Sequence, residues 1–96
     1  MKKYEIMFIV RPDIDENTRN ESVKTLEKSL TSNKATITLS KELGQKELAY
    51  EIKKCKSGFY YLYNIESNDD AAVKEFDRLA RIDENVIRHL VLNIEK

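Results

Sequence analysis

Three groups of side chains in this sequence have the types and spacing to hold an anionic polymer. Lys2, Lys3 and Tyr4 stand together near the start. A lysine neutralises a phosphate without reading a base, and a tyrosine ring stacks on an unpaired base for about 1 to 3 kcal/mol. Arg88 lies among Val86, Ile87, Leu90 and Val91, where a guanidinium needs water or an anion as its partner. Lys53, Lys54 and Lys56 form the densest basic run. Each group also has a plainer use. The first is a solvated strand start with Tyr4 closing the core edge, the second an edge-strand charge that discourages sheet-to-sheet association, and the third a solvated loop. We read Arg88 towards an anionic partner and the lysine run as loop.

Other chemistry finds little support. There is one histidine, His89, so a metal site or a histidine-based nucleophile relay is not expected. Cys55 stands within the lysine run, but no catalytic partner accompanies it, and with one cysteine there is no CxxC and no intramolecular disulfide. Asp69-Asp70 and Asp83-Glu84 fall where helix caps and turns want carboxylates, so they are not read as an acid and base pair. The segment Arg11-Pro12-Asp13-Ile14-Asp15 carries two carboxylates that repel phosphate. No cofactor is expected.

Seventeen Lys and Arg balance seventeen Asp and Glu, which excludes a global basic field but not a local patch. Ninety-six residues make one small domain, 1–96. A fold of this size buries roughly 60 to 65% of its unfolded surface, so function is expected on the surface rather than in a deep pocket. The run Ile6 to Val10 is too short for a signal core or a membrane span, and a cytoplasmic protein is expected.

Periodicity supplies the elements that must carry these groups. Tyr4, Ile6, Phe8 and Val10 alternate with Lys3, Glu5, Met7 and Ile9 in a first strand that Pro12 stops. Asp13 or Asp15 then caps a helix over about 16–32 with Val23, Leu26 and Leu30 as its apolar stripe, and Asn33 closes it in a left-handed conformation. A second strand runs from Ala35 through a bend at Gly44 to Ile52, with Leu48, Tyr50 and Ile52 read as core. A polar turn, 53–58, leads into the β-former run Phe59 to Ile65. Ser67, Asn68 or Asp69 caps a second helix whose inward stripe is Val73, Phe76, Leu79 and Ala80, and Asn85 to Ile94 is the last strand. The order β-α-β-β-α-β with one stripe per helix fits a ferredoxin-like α+β sandwich. It has a four-stranded mixed sheet, both helices on one face, and an open face carrying Met7, Ile9, Tyr60 and Leu62.

Gly44-Gln45-Lys46-Glu47-Leu48-Ala49-Tyr50-Glu51-Ile52-Lys53 resembles the signature decapeptide of the bacterial small ribosomal subunit protein six family. Lys3 to Met7 running on to Arg11-Pro12, and Glu75 to Ile82 followed by Val86-Ile87-Arg88-His89, agree with it. The resemblance implies the ferredoxin-like fold, a structural role in the small ribosomal subunit, binding to the central domain of its RNA, and a heterodimer with the ribosomal protein numbered eighteen. It raises the expectation of RNA contact at Lys2, Tyr4 and Arg88. Lys46, Glu47 and Ala49 become candidates for the protein partner by strand-edge or side-on docking. At Lys2, Lys46 and Glu47 relatives often carry arginine or an Arg-Arg pair; lysine cannot make the planar two-toothed contact. A basic partner explains why this chain can be neutral. The alternative is a ferredoxin-like regulatory module that dimerises and senses a small molecule. It would need a glycine-rich ligand loop, and neither of the two glycines follows the first strand.

Overall fold

Strict alternation decides the first element. In β1 (Lys2–Val10), Tyr4, Ile6, Phe8 and Val10 all turn to one side and are buried, while Lys3, Glu5 and Met7 turn to the other. The computed structural model describes residues 2–94 and continues through α1 (Glu16–Ser32), β2 (Thr36–Ile52), β3 (Cys55–Ser67), α2 (Ala71–Ile82) and β4 (Val86–Asn93). Asp15 caps α1, its carboxylate accepting from the Thr18 amide at 3.1 Å. At the other end of α1 the expected left-handed residue is not Asn33 (φ −100°) but Lys34 (φ 66°). The Asn33 amide donates to the Ser29 carbonyl at 2.7 Å, so this side chain ties down the last turn and the next residue makes the reversal.

The strands form one sheet in the order β2-β3-β1-β4, and every pairing is antiparallel rather than mixed. The crossover from β1 through α1 would make β1 and β2 parallel neighbours, but β3 lies between them, and both neighbours of β1 run against it. Leu26 and Leu30 of α1 and Ala72, Phe76 and Ala80 of α2 share one buried cluster with Tyr4, Ile6, Phe8 and Val10 of β1 and Tyr61, Tyr63 and Ile65 of β3. Both helices therefore cover the same face. Phe8 is its centre, stacked on Tyr61 and Tyr63 at 5.1 and 5.9 Å and tilted against Phe76 at 5.8 Å. Such pairs add about 0.5 to 1.5 kcal/mol each beyond their buried area. The Tyr63 hydroxyl donates to Glu27 at 2.9 Å.

On the other face lie Met7, Ile9, Tyr60 and Leu62, as the alternation predicts. Leu48, Tyr50 and Ile52, expected in the main core, lie on this face instead. Leu48 and Ile52 pack half-buried against a second small cluster of Ile9, Cys55 and Ile87, and Tyr50 is 62% exposed. Irregular register is the reason. Gly44, at φ 83°, sits in a register shift against β3. Glu47 pairs with Ser57 and Ile52 with Cys55, so residues 48–51 of β2 stand opposite Lys56 alone. The surplus residues leave the ladder and swing across the sheet. As a result the Tyr50 hydroxyl accepts from Arg88 Nη1 at 2.5 Å, although β3 and β1 separate their strands in the sheet. The polar turn is also tighter than expected: Lys53 and Lys54 make all of it, and Cys55 already belongs to β3.

Three outcomes follow from this packing. A Cβ on Gly58 would stand 2.3 Å from Ile9 Cγ2 and 3.2 Å from the Val10 carbonyl, so Gly58→Ala should cost about 1 to 3 kcal/mol in urea unfolding. Burial, together with the hydrogen bond to Glu27, pushes the Tyr63 phenol well above its ordinary value of 10.0. Its folded pKa thus exceeds its unfolded one, so its stabilisation is complete below about pH 10 and is lost as pH rises further; Tyr63→Phe should flatten the alkaline unfolding curve. Finally, Tyr50→Ala should loosen the folded-back strand and speed labelling of the buried Cys55 by a thiol reagent several-fold, a rate followed by absorbance.

Candidate nucleic-acid and partner interface

The sequence candidates fall at two ends of one strand. Lys2 is exposed and lies opposite Ser67, while Arg88 lies opposite Ile9. Seven residues of extended chain separate Lys2 from Ile9, roughly 23 Å along β1. Tyr4 is 7% exposed and belongs to the main core. Its place in the alternation turns the ring towards the helices, so in this conformation its face is not offered to a base. The structure therefore brings together neither Lys2 with Arg88 nor Tyr4 with a stacking surface.

What it gathers instead is the far end of β2 over the open face. Arg88 is exposed and makes no ion pair among the described residues; it donates to the Tyr50 hydroxyl, and its guanidinium carbon lies 5.9 Å from the centre of that ring. Beneath this pair is an apolar cleft of about 210 Å³ lined by Met7, Ile9, Tyr60 and Leu90 from the sheet and by Leu48, Ala49, Tyr50 and Ile52 from the folded-back strand. Leu90 and Leu92, 50% and 45% exposed, extend the apolar surface along β4. Of the three residues read as partner contacts, all exposed, Ala49 lines this cleft, Lys46 holds its ammonium 5.8 Å from the Tyr60 ring, and Glu47 sits at the register shift opposite Ser57.

Several other titratable groups are engaged within the fold. His89 turns to the helix side, edge-on to Phe76, with Nε2 2.7 Å from an Asp77 oxygen; Asp77 also holds Arg81 at 2.9 Å. Asp13 is bound by Arg11 at 2.7 Å, and that hydrogen bond holds its carboxyl below the usual carboxylate range. Asp15 is lowered too, by the hydrogen bonds it accepts from Thr18. Both stay ionised at neutral pH, which keeps the segment between β1 and α1 unsuited to an anionic ligand. Among the described residues no group of three or more His, Cys, Asp or Glu is placed to hold a metal, and no helix is long and apolar enough to cross a membrane.

Sequence reasoning missed Tyr50 and the Lys53-Lys54 turn. The second had a signal: apolar Ile52 and Cys55 flank two polar residues, the spacing of a two-residue hairpin. Tyr50 had none, because its face depends on residues that leave the ladder.

Among known proteins, this chain resembles the crystal structure of 30S ribosomal protein S6 from Thermotoga maritima. The two align with a TM-score of 0.90 at 27% identity, over 96% of this chain and 86% of that one. A solution structure of the C-terminal domain of the MgtC protein from Mycobacterium tuberculosis aligns with a TM-score of 0.60 at 12% identity, over 97% of this chain and 87% of that one, a likeness of fold alone. The family model described as Ribosomal protein S6 matches residues 3–93, nearly the whole length with all six elements inside or touching the match, and the chain belongs to that family.

Proposed function

We propose that this protein is a structural, non-catalytic constituent of the small ribosomal subunit that binds the central domain of the subunit's RNA together with the ribosomal protein numbered eighteen. The observation that carries the reading is the family match over residues 3–93. Three features of the molecule support it. The chain is formally neutral, so a basic partner is needed to neutralise much of an RNA surface. The open sheet face offers a protein partner apolar contact at the cleft and along Leu90 and Leu92, with Lys46, Glu47 and Ala49 beside it. Exposed Arg88 at the rim of that cleft, without an ion pair among the described residues, and Lys2 at the far end of β1 are the cations we assign to RNA. In this assignment Tyr4 supports the start of β1 from inside the core.

The test is binding of central-domain small-subunit RNA by this protein, alone and with the basic partner. The pair should bind at least tenfold more tightly than either protein alone, and Lys2→Ala with Arg88→Ala should weaken the pair's binding. Equal and negligible binding in all mixtures would overturn the reading.

A further inference from the structure

Most of the cations elsewhere on the sheet end and on α2 are already committed. Lys3 holds Glu66, Arg11 holds Asp13, Lys74 holds Asp70, Arg78 holds Glu75 and Arg81 holds Asp77. Lys53, Lys54 and Lys56 are exposed and make no ion pair among the described residues, and neither does Arg88. The three lysines stand at the tip of the β2–β3 hairpin. Lys53 and Lys54 are its whole turn, between the paired Ile52 and Cys55.

Both turn residues have positive φ, 48° and 66°. A two-residue turn left-handed at both positions is the one that Asn-Gly or Gly-Gly makes at least cost, because a Cβ crowds the following carbonyl. Two lysines are the wrong chemistry for the turn and the right chemistry for phosphate. Backbone strain kept where no side chain is buried points to a use for the side chains.

The tip is also held in place. Ile52 and Cys55, on either side of the turn, pack into the small cluster with Ile9 and Ile87, and the Cys55 thiol donates to the Lys53 carbonyl at 3.7 Å. Ile87 precedes Arg88, whose guanidinium is tied to Tyr50 of the same hairpin. Turn and arginine are thus parts of one fixed patch. Glu47 and Glu51 border it, sharing a hollow with Lys56, so its strongest positive end is Lys53 and Lys54.

We propose that Lys53, Lys54 and Lys56, with Arg88, form a phosphate-backbone clamp for structured RNA, separate from the end of the sheet that carries Lys2. The proposal rests on the RNA-binding reading above. Lysines place charge without reading bases, so the clamp positions the RNA and selects no sequence.

The test measures the salt dependence of central-domain RNA binding by this protein in complex with its basic partner. Lys53→Asn with Lys54→Gly gives the turn its preferred residues, so its thermal midpoint should equal or exceed that of the parent protein while its RNA affinity falls several-fold. The slope of log affinity against log salt should drop by about 1.4 to 1.8, the share of two phosphate contacts. Replacing Lys53, Lys54 and Lys56 by arginine should retain the parent slope. Absence of RNA binding by the parent complex would overturn the ribosomal reading itself. Binding by the parent with an unchanged slope in the Asn-Gly variant would overturn the clamp alone. A loss seen only in affinity for the partner protein, measured without RNA, would also overturn the clamp and assign the tip to a protein contact.

Discussion

β1 is buried on both sides at its C-terminal end: Val10 is sealed under the helices and its neighbour Ile9 under the hairpin. A strand in the middle of a two-layer protein needs cover on only one face, so this second burial sets requirements elsewhere. β3 must have no side chain where Ile9 passes, which only Gly58 allows. β2 must carry enough surplus length to reach back across the sheet, which the four residues opposite Lys56 provide. The second cluster is small, yet it fixes where the hairpin points.

Charge is then sorted by this geometry rather than by composition. The exposed cations of α2 lie three or four residues from carboxylates and pair with them, contacts that solvent screens and that add little to stability. Their effect is to quiet the charge of α2. On the opposite side the lysines of the hairpin tip, bordered by Glu47 and Glu51, and Arg88 make no ion pair among the described residues and stand next to an apolar cleft. A protein with no net charge thereby presents, on its open side, a face able to meet both a protein and an anion.

Much of this was legible in the sequence. Period-two alternation placed both faces of β1 and the open-face position of Met7, Tyr60 and Leu62, and the 3.6-residue stripes placed Leu26, Leu30, Phe76 and Ala80. These signals are local and repeat, so they survive without tertiary knowledge. Tyr50 was misplaced because alternation holds only while a strand stays in its ladder. For Tyr4 the sequence offers both a place closing the core edge and, through the resemblance, an RNA contact; its phase in β1 already favours the first, and the ring is buried. The antiparallel sheet could have been deduced from β3 standing beside β1; describing it as mixed treated the first crossover as if it joined neighbours. The lysine run and Arg88 are each visible in the sequence, but their joining in one patch is not, because Tyr50 and Arg88 meet only through the fold.

The strand order also sets when the fold can close. β2 and β3 meet through a two-residue turn, so their ladder forms with little loop entropy to overcome, whereas Tyr4 must find Asn93 across almost the whole chain. During synthesis the hairpin can therefore assemble and carry its tip before β4 exists. Until Val86–Asn93 emerges, one edge of β1 keeps its amides and carbonyls unpaired beside Met7 and Ile9. Such an edge is a template for joining other chains. The last strand is thus the piece that ends the period of vulnerability, and its slow arrival favours a chain that is shielded while it waits.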